Sequence, residues 1–247
     1  AIGLAPGNAP AFIERTADPA TAVAMNTDSK TSDNGVICAS EQSVVVETVN
    51  ADAVISEFKR QGGYFLTADE SEKLAKFILR ANGTMNPQIV GKTAVKIAEM
   101  AGFYVPESTT VLLSRQTDAS KSNPYAREKL CPILAFYVEE SWLAACERCI
   151  EILHIEGAGH TLCIHSRDEA VIKEFILRKP VSRLLVNAPG ALGGIGGATN
   201  IAPALTLGCG AVGGSSTSDN ITPMNLLNIR KAAYGVRSLA DIRQLFN

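Results

Sequence analysis

Runs rich in β-branched residues alternate with runs of helical period along most of this sequence, and that order constrains the fold more than any other feature. Ser43 to Glu47 (SVVVE) reads as a buried strand, and Ala51 to Arg60 as a helix stopped by Gly62-Gly63. Asp69 to Leu79 and Ile89 to Ala101 read as further helices, each closed by a glycine soon after. Thr109 to Leu113, Cys131 to Val138, Thr161 to His165 and Arg183 to Val186 are β-rich, and helices at Glu140 to Leu153 and Asp168 to Leu177 fall between the last three. Strand and helix in alternation predict an α/β fold, with a mostly parallel twisted sheet and helices on both faces. The two ends depart from the pattern. Ala1 to Leu4 reads as a strand already in progress before a Pro-Gly-Asn turn. After a glycine-rich stretch, Asn225 to Tyr234 regains strand or helix character with no partner left in the sequence, and a lone late strand commonly pairs with another subunit. Leu239, Ile242, Leu245 and Phe246 then recur at near-helical spacing, which predicts a short amphipathic helix over Ser238 to Asn247.

Several function classes are excluded on composition. A net charge of −2 leaves no basic footprint for nucleic acid. The apolar stretch after Cys131 is interrupted by Glu139, Glu140, Glu147 and Arg148, so it does not read as a membrane span. The uncharged run from Leu184 to Ser218 is rich in Gly, Pro, Ser, Thr and Asn, which would leave backbone groups unsatisfied in lipid. With no apolar cleavable leader, the expectation is a cytoplasmic protein. There, most of the six cysteines (Cys38, Cys131, Cys146, Cys149, Cys163, Cys209) should be small buried hydrophobes. A chain of 247 residues suffices for one large α/β domain or two small ones.

The sharpest local signal is Asp33 to Gln42 (DNGVICASEQ), where a turn-forming Asn-Gly precedes Cys38 and the residues after it can open a helix. A thiol at a helix N-terminus has a lowered pKa and more thiolate. From spacing alone, Cys38 reads equally as a nucleophile or as a buried structural thiol. Other motifs fall away. Gly91-Lys92-Thr93 lacks the glycine that a phosphate-binding loop needs five residues earlier, where Asn86 stands. Gly194 to Thr199 lacks the third glycine of a dinucleotide fingerprint. Cys146-x-x-Cys149 lies within an amphipathic helix without a second pair, and His154, His160 and His165 lack metal-ligand spacing, so no metal site is expected.

Read in order, Gly3–Pro10 (GLAPGNAP), Phe12–Asp18 (FIERTAD), Asp33–Val46 (DNGVICASEQSVVV), Glu128–Ala135 (EKLCPILA), Gly157–Ser166 (GAGHTLCIHS), Leu185–Gly197 (LVNAPGALGGIGG) and Leu205–Gly214 (LTLGCGAVGG) resemble the aldehyde dehydrogenase superfamily, within it the CoA-acylating acetaldehyde and propionaldehyde dehydrogenases. The resemblance covers only the C-terminal, catalytic half of such an enzyme. It implies an aldehyde dehydrogenase catalytic domain over residues 1–220, an oligomerisation strand and tail over 221–247, and a dinucleotide-binding domain that would precede Ala1. On that reading this stretch alone would be inactive.

The implied reaction uses NAD and coenzyme A on a short-chain aldehyde, with Cys38 attacking the aldehyde carbon. The backbone N–H of Cys38 would help hold the oxyanion. Glu128 would bind the nicotinamide ribose, and Asn187 would line the aldehyde's approach. His160 either assists the incoming thiol or only hydrogen-bonds backbone near the cleft. Hydrolytic relatives carry a water-activating Glu in the segment matching residues 1–7, which here has no carboxylate, and this favours CoA over water as acceptor. A homodimer or dimer of dimers built through residues 225–236 is expected, and the tail could serve entry into a protein-shelled microcompartment. Three other readings stand beside this one: a hydrolytic or phosphorylating relative, an inactive piece keeping only the oligomerisation surface, and a part of a bifunctional aldehyde–alcohol dehydrogenase.

Overall fold

A computed structural model describes residues 6–246. In chain order the strands and helices are β1 (Ala9–Ile13), α1 (Pro19–Thr31), β2 (Glu41–Glu47), α2 (Ala51–Arg60), β3 (Gly63–Phe65), α3 (Ala68–Ile78), α4 (Ala94–Met100), β4 (Val111–Arg115), β5 (Ile133–Glu139), α5 (Trp142–Ile155), β6 (Gly159–His165), α6 (Glu169–Arg178), β7 (Val181–Val186), α7 (Gly190–Gly194) and α8 (Leu239–Gln244). The seven strands form one sheet in the order β3-β4-β5-β2-β1-β6-β7, and every pairing is parallel. The expected α/β architecture is present.

The central strands are buried on both faces, which is why β2 reads as an unbroken apolar run rather than an alternating one. Val45 faces a core built with Leu74 of α3, Ile97 of α4, Ile152 of α5 and Phe175 of α6. Val44 and Val46 face the other core, built with Val23 of α1 and Val54 and Phe58 of α2. Phe12 and Phe175 stack at 5.1 Å between ring centroids and tie β1 to α6. Among the described residues no helix is long and apolar enough to cross a membrane.

Most expected elements fall within a few residues of their observed places, and α2 coincides with its expected bounds. Others differ for physical reasons. Helix α1 has no apolar stripe in its sequence. It is carried instead by Pro19 at its start, the Asp18 side chain accepting from Thr21 N–H, and burial of polar Asn26, Ser29 and Lys30. The helix expected from Ile89 begins only at Ala94, where Thr93 caps it, because Gly91 takes a left-handed φ of 65°. No helix opens after Cys38. The run Val44–Val46 draws the chain into β2 by Glu41, leaving Cys38 in a turn. The strand expected over Ala1–Leu4 lies outside the described residues. Residues 225–236 form no strand, only the end of a 3₁₀ turn (Pro223–Leu226) and irregular chain, since an extended segment needs a ladder partner. The expected closing helix is α8, and residues 223–246 are all exposed. Cys146 and Cys149 are fully buried within α5.

Gly159, at the start of β6, sets the depth of His160. Its φ is 84°, and a Cβ there would lie 2.0 Å from the carbonyl oxygen of Cys209. Gly159→Ala should therefore lower stability by about 2 kcal/mol or more. Gly102→Ala, at φ 85° with nothing within 4 Å, should cost only about 1 kcal/mol. Urea unfolding of the two variants checks the difference, and equal losses would remove the Cys209 contact as its cause.

Candidate active site

Four adjacent parallel strands, β5, β2, β1 and β6, begin at one edge of the sheet, so the segments entering them are brought side by side. Gly7 precedes β1, Cys38 precedes β2, Glu128 precedes β5, and His160 is the second residue of β6. Separated by up to 122 positions in sequence, Cys38, Glu128 and His160 meet around one cavity of about 330 Å³, lined also by Pro6, Val36, Leu130, Leu205 and Leu207, with Gly7 beside it on Glu128.

Cys38 is delivered by three successive left-handed residues, Asp33 (φ 49°), Asn34 (φ 50°) and Gly35 (φ 76°), so the Asp-Asn-Gly turn forms as its composition predicts. Asn34 anchors the turn by donating to the Gly91 carbonyl at 3.1 Å, and Ser40 Oγ donates back to the Gly35 carbonyl at 3.2 Å. The Cys38 sulfur lies 3.2 Å from His160 Nε2, and His160 Nδ1 lies 2.9 Å from Thr161 Oγ1. Glu128 Oε1 accepts from Gly7 N–H at 2.8 Å, while Glu128 N–H donates to Glu156 Oε2 at 3.1 Å.

The electrostatics reverse the sequence expectation for Cys38. Without a helix start beneath it, desolvation dominates and pushes the thiol up to about 11, with the Glu128 carboxylate adding to the rise. Arg183 and the residue's own backbone N–H act the other way, favouring thiolate. Burial, with help from Arg183, pulls His160 down to about 4, so the imidazole is neutral at ordinary pH. Burial also raises Glu128, against the Gly7 hydrogen bond.

Asn187 is not brought to this cavity. It follows β7 at the opposite, C-terminal edge of the sheet, where its amide accepts from Ser166 N–H and donates to the Ser166 carbonyl. There it lines a separate cavity of about 150 Å³ with Asp18, Met25, His165 and Arg167. Open α/β sheets ordinarily bind ligands at that C-terminal edge, yet here the reactive groups gather at the N-terminal one. Gly7, Thr161, Arg183, Leu205 and Leu207 are site residues to which sequence reading gave no role. Four of them lie inside the quoted motifs, but Arg183 lies outside all of them. Among the described residues no group of three or more His, Cys, Asp and Glu side chains could hold a metal ion.

If the Glu128 charge opposes thiolate formation, Glu128→Gln should speed alkylation of Cys38 by iodoacetamide severalfold at pH 8. A slower reaction, followed by mass spectrometry, would mean that the carboxylate activates the thiol.

No protein-family model matches the chain. It is 44% identical over 238 residues to the bifunctional aldehyde-alcohol dehydrogenase of Escherichia coli K12, a match covering 94% of this chain and 27% of that enzyme. A probable aldehyde dehydrogenase from Listeria monocytogenes superposes with a TM-score of 0.94 at 63% identity, over 98% of this chain and 53% of that one. An acetylating aldehyde dehydrogenase from Geobacillus thermoglucosidasius gives a TM-score of 0.93 at 44% identity, over 96% of this chain and 52% of that one. The chain thus spans about a quarter of the bifunctional relative and about half of each of these structures. With the parallel fold and the cysteine–histidine pair already in place, these likenesses make the chain similar, over nearly its whole length, to one part of aldehyde dehydrogenases, an acetylating one among them.

Proposed function

We propose that the protein carrying this chain is an NAD-dependent, CoA-acylating aldehyde dehydrogenase, converting a short-chain aldehyde, NAD and CoA into acyl-CoA and NADH with Cys38 as nucleophile. The observation that carries this reading is the Cys38 sulfur, held 3.2 Å from a neutral His160 in a largely apolar cavity. The Cys38 thiolate adds to the aldehyde carbon, giving a thiohemiacetal whose oxyanion the backbone N–H of Cys38 helps to hold. A bound nicotinamide cofactor would supply the hydride acceptor as the carbonyl re-forms, and Cys38 would be left carrying the acyl group as a thioester. Glu128 fits the cofactor's ribose: one carboxylate oxygen is fixed by Gly7 N–H, and the other, which has no hydrogen-bond partner among the described residues, can accept from a hydroxyl. Attack by CoA thiolate on the thioester carbon then expels the Cys38 thiolate, with His160 assisting at the sulfur.

Two features support CoA over water. Among the described residues lining the cavity Glu128 is the one carboxylate, and an oxygen of it is tied to Gly7. Residues 1–7 contribute no Asp or Glu. Water is a poor nucleophile without a base, whereas a thiol of pKa about 8.5 is already a few per cent ionised near pH 7. Relatives named as acetylating point the same way.

We also infer assembly through residues 225–236. Leu226, Leu227, Ile229, Tyr234 and Val236 are all exposed there, an apolar row that a second copy would cover as an added strand. Six free cysteines fit a reducing, cytoplasmic setting. Entry of a homodimer or dimer of dimers into a microcompartment shell through α8 is a secondary use of the same tail.

Cys38→Ala should abolish acyl-CoA formation in the intact protein without changing its melting temperature, and appreciable residual turnover would move the nucleophile elsewhere. Release of free acid rather than acyl-CoA by the unmodified enzyme would favour the hydrolytic alternative. Deleting residues 225–247 should give monomers or aggregates by light scattering, whereas an oligomer with the original subunit number would sink the assembly proposal.

A further inference from the structure

Arg183 is a buried guanidinium surrounded by neutral acceptors. Thr161 of β6 pairs with it across the sheet, and Arg183 Nε donates to Thr161 Oγ1 at 3.3 Å. Its Nη2 donates to the Gly208 carbonyl at 2.7 Å, and its Nη1 to the Ser218 carbonyl at 3.2 Å and Asn220 Oδ1 at 3.4 Å. Among the described residues no carboxylate pairs with it. Thr161 is fully buried, and among the described residues its hydroxyl has two hydrogen-bond neighbours, Arg183 Nε and His160 Nδ1.

That arrangement fixes the order of protons. Arginine only donates, so Thr161 Oγ1 accepts from it. Among the described residues the Thr161 hydroxyl proton then has one hydrogen-bond acceptor, His160 Nδ1 at 2.9 Å. Were the imidazole proton on Nδ1 instead, two donors would converge on Thr161 Oγ1 and its own proton would be buried without an acceptor, a costly state. A neutral imidazole carries one N–H, which leaves it on Nε2, facing the Cys38 sulfur at 3.2 Å.

We propose that Arg183 and Thr161 are positioning residues that lock His160 as its Nε2–H tautomer, so that it donates a hydrogen bond to the Cys38 sulfur rather than accepting the thiol proton. This rests on the reading of Cys38 as nucleophile. Each donor in the chain Arg183, Thr161, His160 points toward the sulfur, which favours Cys38 as thiolate before attack and as leaving group when CoA displaces it. Burial and Arg183 together hold the imidazole neutral, as the lock requires. The other groups facing Cys38 are Glu128, which opposes the thiolate, and Cys209, whose thiol lies in the same field.

The test is nitrogen-15 NMR on the intact protein with labelled histidine, the His160 signal assigned by its loss in His160→Gln. The expected pattern is Nε2–H in the wild type, an Nδ1–H or exchanging pattern in Thr161→Val, and recovery of Nε2–H in Thr161→Ser. Iodoacetamide labelling of Cys38 should slow about threefold to tenfold in Thr161→Val, the worth of one hydrogen bond, and return to the wild-type rate in Thr161→Ser. An Nδ1–H or doubly protonated His160 in the wild type overturns the proposal, and that measurement stands even where Thr161→Val fails to fold. A folded Thr161→Val with unchanged tautomer and labelling rate overturns it as well. Should the tautomer pattern hold while Cys38→Ala still makes acyl-CoA, the reading of Cys38 falls instead, so the two failures are told apart.

Discussion

The site depends on two chain segments passing closer together than any side chain permits. A Cβ on Gly7 would lie 2.0 Å from the Cys38 carbonyl oxygen, so the approach to β1 packs directly on the turn that carries the nucleophile. This contact aims Gly7 N–H at Glu128 and links three of the four converging segments. The register of β1 on β2 follows the same logic. Pro10 has no N–H to give the ladder, and the pairing slips there, from Ala9 opposite Glu41 to Pro10 opposite Ser43. The residue left unpaired is Gln42. Freed from the regular register, its side-chain oxygen accepts from Lys30 Nζ and Lys129 N–H, both at 3.1 Å, and joins α1 to the Glu128 segment.

Burial sets the resting chemistry more than any single charge. With the Cys38 thiol pushed up to about 11 and His160 down to about 4, proton transfer between them lies far toward the neutral pair. A thiolate–imidazolium pair is therefore not the resting state, and the cavity does not hold a permanently activated nucleophile. The uncompensated charge of Arg183 explains part of this asymmetry. It opposes a second cation on His160 while favouring an anion on Cys38, which suits a group that must become and leave as a thiolate without its neighbour titrating.

The sheet was legible because its signal is local. Unbroken apolar runs such as Val44–Val46 mark strands buried on both faces, and Gly62, Gly102 and Gly157 mark the ends of α2, α4 and α5. Helix α1 was not legible, because it is held by a cap and by buried polar contacts that leave no period in the sequence. The pairing of Cys38, Glu128 and His160 came from resemblance, not from spacing, since only strand order brings them together. Strand order likewise sets Asn187 away from the Cys38 cavity. It stands near glycines that do approach the site, with Gly194 packing on Ala39 next to Cys38, but it sits a full strand length from His160. The fault over Cys38 was one of weighting: a helix dipole was expected from the turn, and desolvation without a helix governs instead.

Glu128 shows how a carboxylate can be kept in an apolar wall. Its own N–H is held by Glu156, which also pairs with Arg127, and one of its oxygens by Gly7. Lys129, fully buried, turns its ammonium back on the chain and donates to the Tyr125 and Arg127 carbonyls, both at 2.7 Å, clamping the loop from beneath. Burial and the nearby charge of Lys30 draw Lys129 down to about 7, a sign of how much solvation this clamp gives up. The loop also holds Leu130 at a left-handed φ of 49°, a conformation that costs a branched side chain about 1 kcal/mol or more. That strain has a use. It turns the Leu130 carbonyl to accept from Gly91 N–H at 3.2 Å, on the loop that anchors the Cys38 turn, while the side chain closes the cavity wall. The segments bearing Glu128 and Cys38 are thus tied to one another at Gly7, at Gly91 and through Gln42, so neither can shift without carrying the other.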